Sequence, residues 1–363
     1  RLFLIHSAVV KADDLRYSDE GVRDVLKSII IPWWNSYSFF VTYANIDKIT
    51  CTGHEFDSKL PSNPLDRWLL SVTQSLIKKV TEAMEQYDLS GAIDPIVDFI
   101  DQLNNWYIRR SRRRFWKSEN DADKKEAYEA LYIALKTFAK VAAPFVPFIT
   151  EEMWQNLKTD EDKESVHLED YPVYNEKFHD ENLEFKMSTV QKAISMGRSL
   201  RNQFNLKNRQ PLASVALVTR KAEEKTVLQE MLDSIKEELN VKNVIFHDRE
   251  DELVEYKAKA NFKVLGKELG GLMKEAASQI ASLANNAIQS ILDGSKFTIE
   301  VGGKSVDLTE DKIIVDRIEK EDVKVINEGT LTVGLDTKIT DELKKEGYVR
   351  DLVRGIQALR KDS

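Results

Sequence analysis

An apolar stripe at Ile93, Ile96, Val97, Ile100, Leu103 and Tyr107 runs straight into a segment, residues 104–117, that carries six positive charges and no negative one. The stripe has the spacing of one buried helix face. Continued at about 100° per residue, such a helix places Asn105, Arg109, Arg112, Arg113 and Trp116 opposite the stripe, with Arg110, Arg114 and Lys117 toward the flank. It is held by a core on one side and presents arginines with an aromatic on the other. That combination suits phosphate contact together with base stacking, the way proteins hold single-stranded RNA loops. The same residues also fit a solvated basic face laced by ion pairs, although no acid lies within the stretch and tryptophans interleave it. Trp106 reads as core-edge packing rather than a stacking platform.

The basic segment is local. Net charge is -8 and the pI is near 5.4, which argues against a protein that coats nucleic acid indiscriminately. Any such site is a patch that an acidic surface helps delimit. A chain of 363 residues with 42% apolar and 31% charged residues is ordinary globular material for about two domains. No run approaches the roughly 20 apolar residues of a membrane helix, and the apolar stretch after Arg1 is too short for a signal peptide. The first residue is not Met, which reads as an excerpt from a longer protein. A single cysteine, Cys51, leaves no internal disulfide and no Cys-x-x-Cys zinc site, and points to a reducing, cytoplasmic setting.

Periodicity predicts helices over residues 20–44 (kinked at Pro32), 64–87, 93–117, 122–142 and 147–157. Pro64 and Pro147 stand where a missing N–H costs nothing. Residues 51–63 read as a loop, and the charged residues 158–165 as a connector. A bridging helix follows at about 183–204. Strands are expected over 214–219, 243–247, 297–301, 306–308, 313–316, 323–326 and 331–335, with helices over 223–239, 267–292 and 341–360. The expected fold is mainly α. An antiparallel helix bundle (residues 1–160) leads through a connector and bridging helix (161–211) into a smaller α+β domain (212–363).

No catalytic constellation emerges. The five histidines are scattered without an i, i+4 pair, so neither a metal ligand set nor a catalytic residue is assigned. Cys51 with His54 three residues on is a poor nucleophile–base arrangement. Gly266, Gly270 and Gly271 lie on a helical pattern and lack the strand–turn–helix context of a phosphate loop. Glu151 and Glu152 open a helix, where negative charge suits the dipole. A second, thinner basic set comprises Arg198, Arg201, Lys207 and Arg209, with Gln210 beside them; the basic residues of the final helix are balanced by acids.

Three stretches carry a family resemblance: Leu65-Asp66-Arg67-Trp68-Leu69, then Phe99 to Trp116 with Asn105-Trp106-Tyr107-Ile108-Arg109-Arg110, then Ala143-Pro144-Phe145 through Pro147-Phe148 to Glu151. Together they resemble the anticodon-binding helical domain of class I aminoacyl-tRNA synthetases. Further stretches are similar to the isoleucyl branch: Glu20 to Leu26 with Pro32-Trp33-Trp34-Asn35, Ser165 to Pro172, Gly197 to Leu212, Asn261 to Lys267 and Glu346 to Lys361.

The resemblance implies a tRNA-binding fragment that begins after the catalytic core. It implies a partner tRNA accepting isoleucine, catalytic and editing domains upstream, and a monomer that is inactive alone. ATP and magnesium belong to the full-length enzyme, with no cofactor in this chain. Lys186-Met187-Ser188 imitates a nucleotide-binding signature of the family but falls far from its place. Asn105, Arg109, Arg112, Arg113 and Trp116, the outward face of the helical projection, are the expected tRNA contacts, with Arg110, Arg114 and Lys117 adding field from the flank and Lys207, Arg209 and Gln210 as weaker contacts. A valyl or leucyl sibling, or a helical protein-interaction module with a basic face, are the alternatives.

Overall fold

The computed structural model describes residues 1–15, 17–116, 121–292, 294–319 and 322–362. Its internal contacts divide it into two units, Arg1–Phe185 and Lys186–Ser363.

The first unit is helical, as the periodicity requires: α1 (Leu2–Ile5), α2 (Asp19–Val25), α3 (Ile31–Asp47), α4 (Pro64–Glu85), α5 (Asp94–Asp101), α6 (Arg109–Trp116), α7 (Asp121–Ala142) and α8 (Pro147–Leu157). Its core is unusually aromatic. Trp33, Trp68, Tyr107, Tyr128, Phe138, Phe145 and Trp154 are all fully buried. Phe138 receives Trp33 edge-on at 4.7 Å and stacks on Phe99 at 4.9 Å, the two arrangements that a ring quadrupole favours.

Just before Pro32, where a kink is expected, the chain widens into a π-helical turn over Leu26–Ile30, immediately before α3. Proline cannot donate and its ring crowds the carbonyl four residues back, so a widened preceding turn accommodates it. At the start of α4, the Asn63 side chain accepts from the Leu65 N–H at 2.9 Å and Pro64 takes the first position, which satisfies an end that would otherwise leave donors unmet.

The loop before α4 is pinned by Glu129 of α7, whose buried carboxylate accepts from the Thr52 N–H at 3.2 Å and from the Gly53 N–H. Cys51 lies beneath this clasp. Burial, and then the Glu129 charge, push its thiol far above the usual range, which suits packing rather than nucleophilic chemistry. Residues after α8 pack on the same bundle. Trp154 donates to the Lys163 carbonyl at 3.1 Å, and Val166 is buried with Ala143 and Trp154.

Helix α9 (Glu181–Gln203) carries the chain into the second unit. There β1 (Leu212–Thr219), α10 (Ala222–Glu230), α11 (Leu232–Leu239) and β2 (Val241–His247) form a parallel β–α–β crossover. The single helix expected over residues 223–239 breaks at Met231, whose φ of -111° and ψ of 24° leave the helical region. Strand β3 (Val254–Ala260) has no counterpart among the expected strands. Helices α12 (Phe262–Leu269), α13 (Met273–Ala281) and α14 (Asn285–Leu292) follow it.

The remaining strands are β4 (Phe297–Val301), β5 (Lys304–Leu308), β6 (Ile313–Glu319), β7 (Val323–Glu328) and β8 (Leu331–Asp336), and α15 (Asp341–Asp362) closes the chain. One sheet has the order β2-β1-β8-β7, with β1 and β2 parallel and the other pairs antiparallel. Two-stranded sheets pair β3 with β6 and β4 with β5. Gly302 and Gly303, at φ 58° and 78°, make the two-residue turn between β4 and β5, which needs both residues left-handed. Buried Tyr256, Ala258, Leu265, Ile280, Ile288, Val301 and Leu308 share the core of this region.

Candidate nucleic-acid interface

The arginine segment is not one uniform helix. Between α5 and α6 the chain opens into a π-helical turn over Gln102–Ile108. The widened turn lets three consecutive residues, Trp106, Tyr107 and Ile108, all turn inward beside Leu103, which a regular helix does not allow. Asn104 ties it down: its amide donates to the Ile100 carbonyl at 3.0 Å, and its oxygen accepts from Ser36 of α3 at 2.8 Å.

After this turn, α6 is locked by a buried polar knot. Tyr107 donates to Asp66 of α4 at 2.7 Å. Arg114 grips both oxygens of Asp66, each at 2.7 Å, and also reaches Asp123 of α7 through Nε at 2.8 Å and Nη2 at 2.7 Å. Asp66 is wholly buried. Burial drives its carboxyl up, against the opposing pull of the Arg114 fork. The two carboxylates outweigh the cost of burial on Arg114 and hold its guanidinium charged well above the usual range. Burial, and then the Asp66 charge, also raise the Tyr107 hydroxyl. Ser111 and Phe115 complete the inward face.

The outward face holds Asn105, Arg109, Arg112, Arg113 and Trp116, all exposed. Trp116 is 52% exposed with its ring 6.2 Å from Tyr43 of α3, so a flat aromatic surface adjoins the arginines. Asn105 donates to Asp101 at 2.5 Å and is oriented by it. Arg110 lies between the faces, its guanidinium 4.7 Å from the Trp106 ring centre. Trp106 itself is buried, which makes it packing.

Two expected contacts change role. Helical projection puts Arg114 toward the flank of the basic face; in the structure it turns inward to neutralise a carboxylate contributed 48 residues earlier in the chain. Gln210, in the second unit, spends its amide on the Pro211 and Leu343 carbonyls at 3.0 and 2.7 Å and fastens the turn to α15. Lys117 lies outside the described residues.

Lys207 and Arg209 belong to the second unit and project from a turn that Arg201 shapes. Arg201 is 1% exposed. It donates to the carbonyls of Leu239, Asn240, Lys207 and Gln210 at 2.7, 3.2, 2.9 and 3.0 Å, and burial pulls its guanidinium down to about 10. Lys207 and Arg209 each stand 3.7 Å from Asp351, a loose surface pairing worth little.

A family model described as the anticodon-binding domain of tRNA ligase matches residues 66–217. Its first position is the buried Asp66, and it contains the whole arginine helix. The isoleucine–tRNA ligase of Treponema denticola is 64% identical over 373 residues, covering all of this chain and 34% of that protein. Along its whole length the chain is similar to isoleucine–tRNA ligases. The member from Protochlamydia amoebophila is 41% identical over 366 residues, again covering the whole chain and 35% of its own length. The chain therefore spans about a third of the length of these ligases and matches their C-terminal part. A solved ternary complex, the Agrobacterium radiobacter K84 agnB2 LeuRS-tRNA-LeuAMS, overlaps 68% of this chain and 27% of its own at a TM-score of 0.33 and 15% identity, too distant a likeness to bear on the site.

Proposed function

We propose that this chain is the tRNA-recognition part of an isoleucine–tRNA ligase, and that it holds the anticodon stem-loop of isoleucine tRNA while the rest of the enzyme charges the distant acceptor end. The observation that carries this reading is the two-sided arginine helix. Its inner side is locked by Arg114, Asp66 and Tyr107, so its outer side presents Asn105, Arg109, Arg112, Arg113 and Trp116 as a rigid set. Arginines supply phosphate contacts that fix register, Asn105 supplies a base-edge donor and acceptor, and Trp116 supplies a stacking surface. Arg110 adds field from the flank. Lys207 and Arg209 are secondary contacts in the second unit.

In this reading the parent enzyme activates isoleucine with ATP and Mg²⁺ in domains upstream of Arg1 and works in the cytoplasm as a monomer. An apolar groove of about 540 Å³ in the first unit, lined by Leu2, Phe3, Leu26, Phe145 and Phe148 among others, supports packing of those domains beside the first residues. Phe148 is 90% exposed within it, an unfavourable state for a phenylalanine without a neighbour.

Each neutralised phosphate contributes a log–log salt slope of about -0.7 to -0.9. Binding of this chain to isoleucine tRNA and to valine tRNA, with heparin as a polyanion control, tests the reading. Preference for the isoleucine tRNA supports it. Equal binding to both would favour a shared bundle function, and no RNA binding would leave the basic face as a dock for an acidic protein.

A further inference from the structure

The second unit contains a polar cavity of about 400 Å³ that none of the expected contacts touches. It opens where β1 and β2 end side by side and in parallel. Val218 lies one residue before the end of β1, and Asp248, Arg249 and Glu250 follow β2; Gln289 and Ser290 of α14, Asn327 of β7, Thr330 in the turn after it and Thr332 of β8 also line the cavity, with exposed Arg220 just past the end of β1. The place follows from topology. In open α/β sheets ligand crevices lie outside the carboxyl ends of parallel strands, and this cavity adjoins the carboxyl ends of β1 and β2.

Its chemistry is mixed. Two arginines and two carboxylates line it, and Arg249 is already paired with Asp251 at 2.7 Å, so the cavity is no trap for a bare anion. Asp248 is already engaged by Lys225 at 2.5 Å, and Asn327 donates to Thr332 at 2.7 Å across the β7–β8 register. Gln289 and Glu250, both more than nine-tenths buried, bring an amide and a carboxylate to the lining, and Val218 brings an apolar contact. A ligand suited to this lining is neutral overall and carries both hydrogen-bond donors and acceptors along one edge. The volume lies at the small end of ligand pockets, which run from about 300 to 1,000 Å³.

We propose that this cavity receives one unpaired nucleobase of the bound RNA, read along its polar edge, with Arg220 at the mouth beside the adjoining phosphate. The inference rests on the tRNA reading above and adds to it a second recognition point, in the unit that follows the arginine-bearing bundle. An unstacked base splayed into a pocket and read by its edges is the general mode of single-stranded RNA recognition.

The test uses isoleucine tRNA in which each unpaired position is made abasic in turn, bound to the unaltered chain, to Gln289→Leu and to Arg220→Met. One abasic position should weaken binding roughly ten-fold or more. Gln289→Leu should weaken the intact tRNA similarly, and should bind that abasic tRNA no worse than the unaltered chain does. Arg220→Met, at an exposed rim position, repeats the test without touching the interior; an unchanged unfolding temperature in either variant separates the effect from misfolding. If intact tRNA binds and no abasic position couples to either variant, the cavity is not a base pocket while the tRNA reading stands. If the unaltered chain binds no tRNA, both fall.

Discussion

Arg114 holds Asp66 by both carboxylate oxygens at 2.7 Å, although the two residues lie on different helices. The pair fixes α6 against α4, and a second grip on Asp123 fixes it against α7. The basic helix is therefore anchored by one of its own arginines.

This division of labour separates stability from binding. Removing one partner of a buried pair leaves an uncompensated charge, at a cost of about 3–5 kcal/mol. Arg114→Ala should lower the stability of the bundle by that order in a urea titration, whereas Arg112→Ala should leave the midpoint in place. Equal midpoints for the two variants would contradict the anchoring role.

Arg112 and Arg113 are exposed, so their effect should fall on RNA alone. The double change to alanine should weaken tRNA binding and flatten the log–log salt slope by about 0.7 to 0.9 for every phosphate no longer neutralised. Filter binding between low and moderate salt reads this directly. A slope that stays constant would move the phosphate site elsewhere.

The two tryptophans of the segment should behave oppositely. Trp116→Ala should remove a stacked base worth about 1–3 kcal/mol of binding and leave folding nearly untouched. Trp106→Ala should cost about 3–5 kcal/mol of stability, because that ring is buried. Thermal unfolding together with binding separates them.

Acid should weaken the bundle. Against the cost of its burial, the Lys136 ammonium and the Thr159 N–H hold the Asp162 carboxyl below its ordinary value. Lys124 and Tyr128 do the same for Asp47. A carboxyl depressed on folding contributes stability that is fully present above its unfolded value, near about 4, and is lost as pH falls through the lower folded value. Unfolding temperature should therefore drop below about pH 4, and Asp162→Asn should flatten part of that drop. An identical pH profile in the variant would remove Asp162 from the explanation.

Much of this is readable from the chain alone, for reasons particular residues make plain. The bundle helices declare themselves because Leu65, Trp68, Leu69, Val72 and Leu76 repeat at helical spacing, and the outward set of the arginine helix follows from the same geometry. The inward turn of Arg114 does not, since its partner Asp66 is distant in sequence and an arginine at a helix flank looks the same either way. The π-helical turn over Gln102–Ile108 is hidden too; the run Trp106-Tyr107-Ile108, too wide for one stripe, is its only trace. Strand β3 escapes a propensity reading because Lys, Glu and Ala are poor strand formers. Yet Val254, Tyr256, Ala258 and Ala260 alternate inward with exposed Lys257 and Lys259 between them, so a period-two count finds it. The polar cavity draws on widely separated segments and leaves no local signal.

The most direct measurement is binding of this chain to isoleucine tRNA and to a copy with substituted anticodon bases, across a salt series. Tighter binding to the native anticodon at every salt concentration, with a slope of a few ions, is the expected result. Equal binding to both copies would contradict anticodon recognition by this chain.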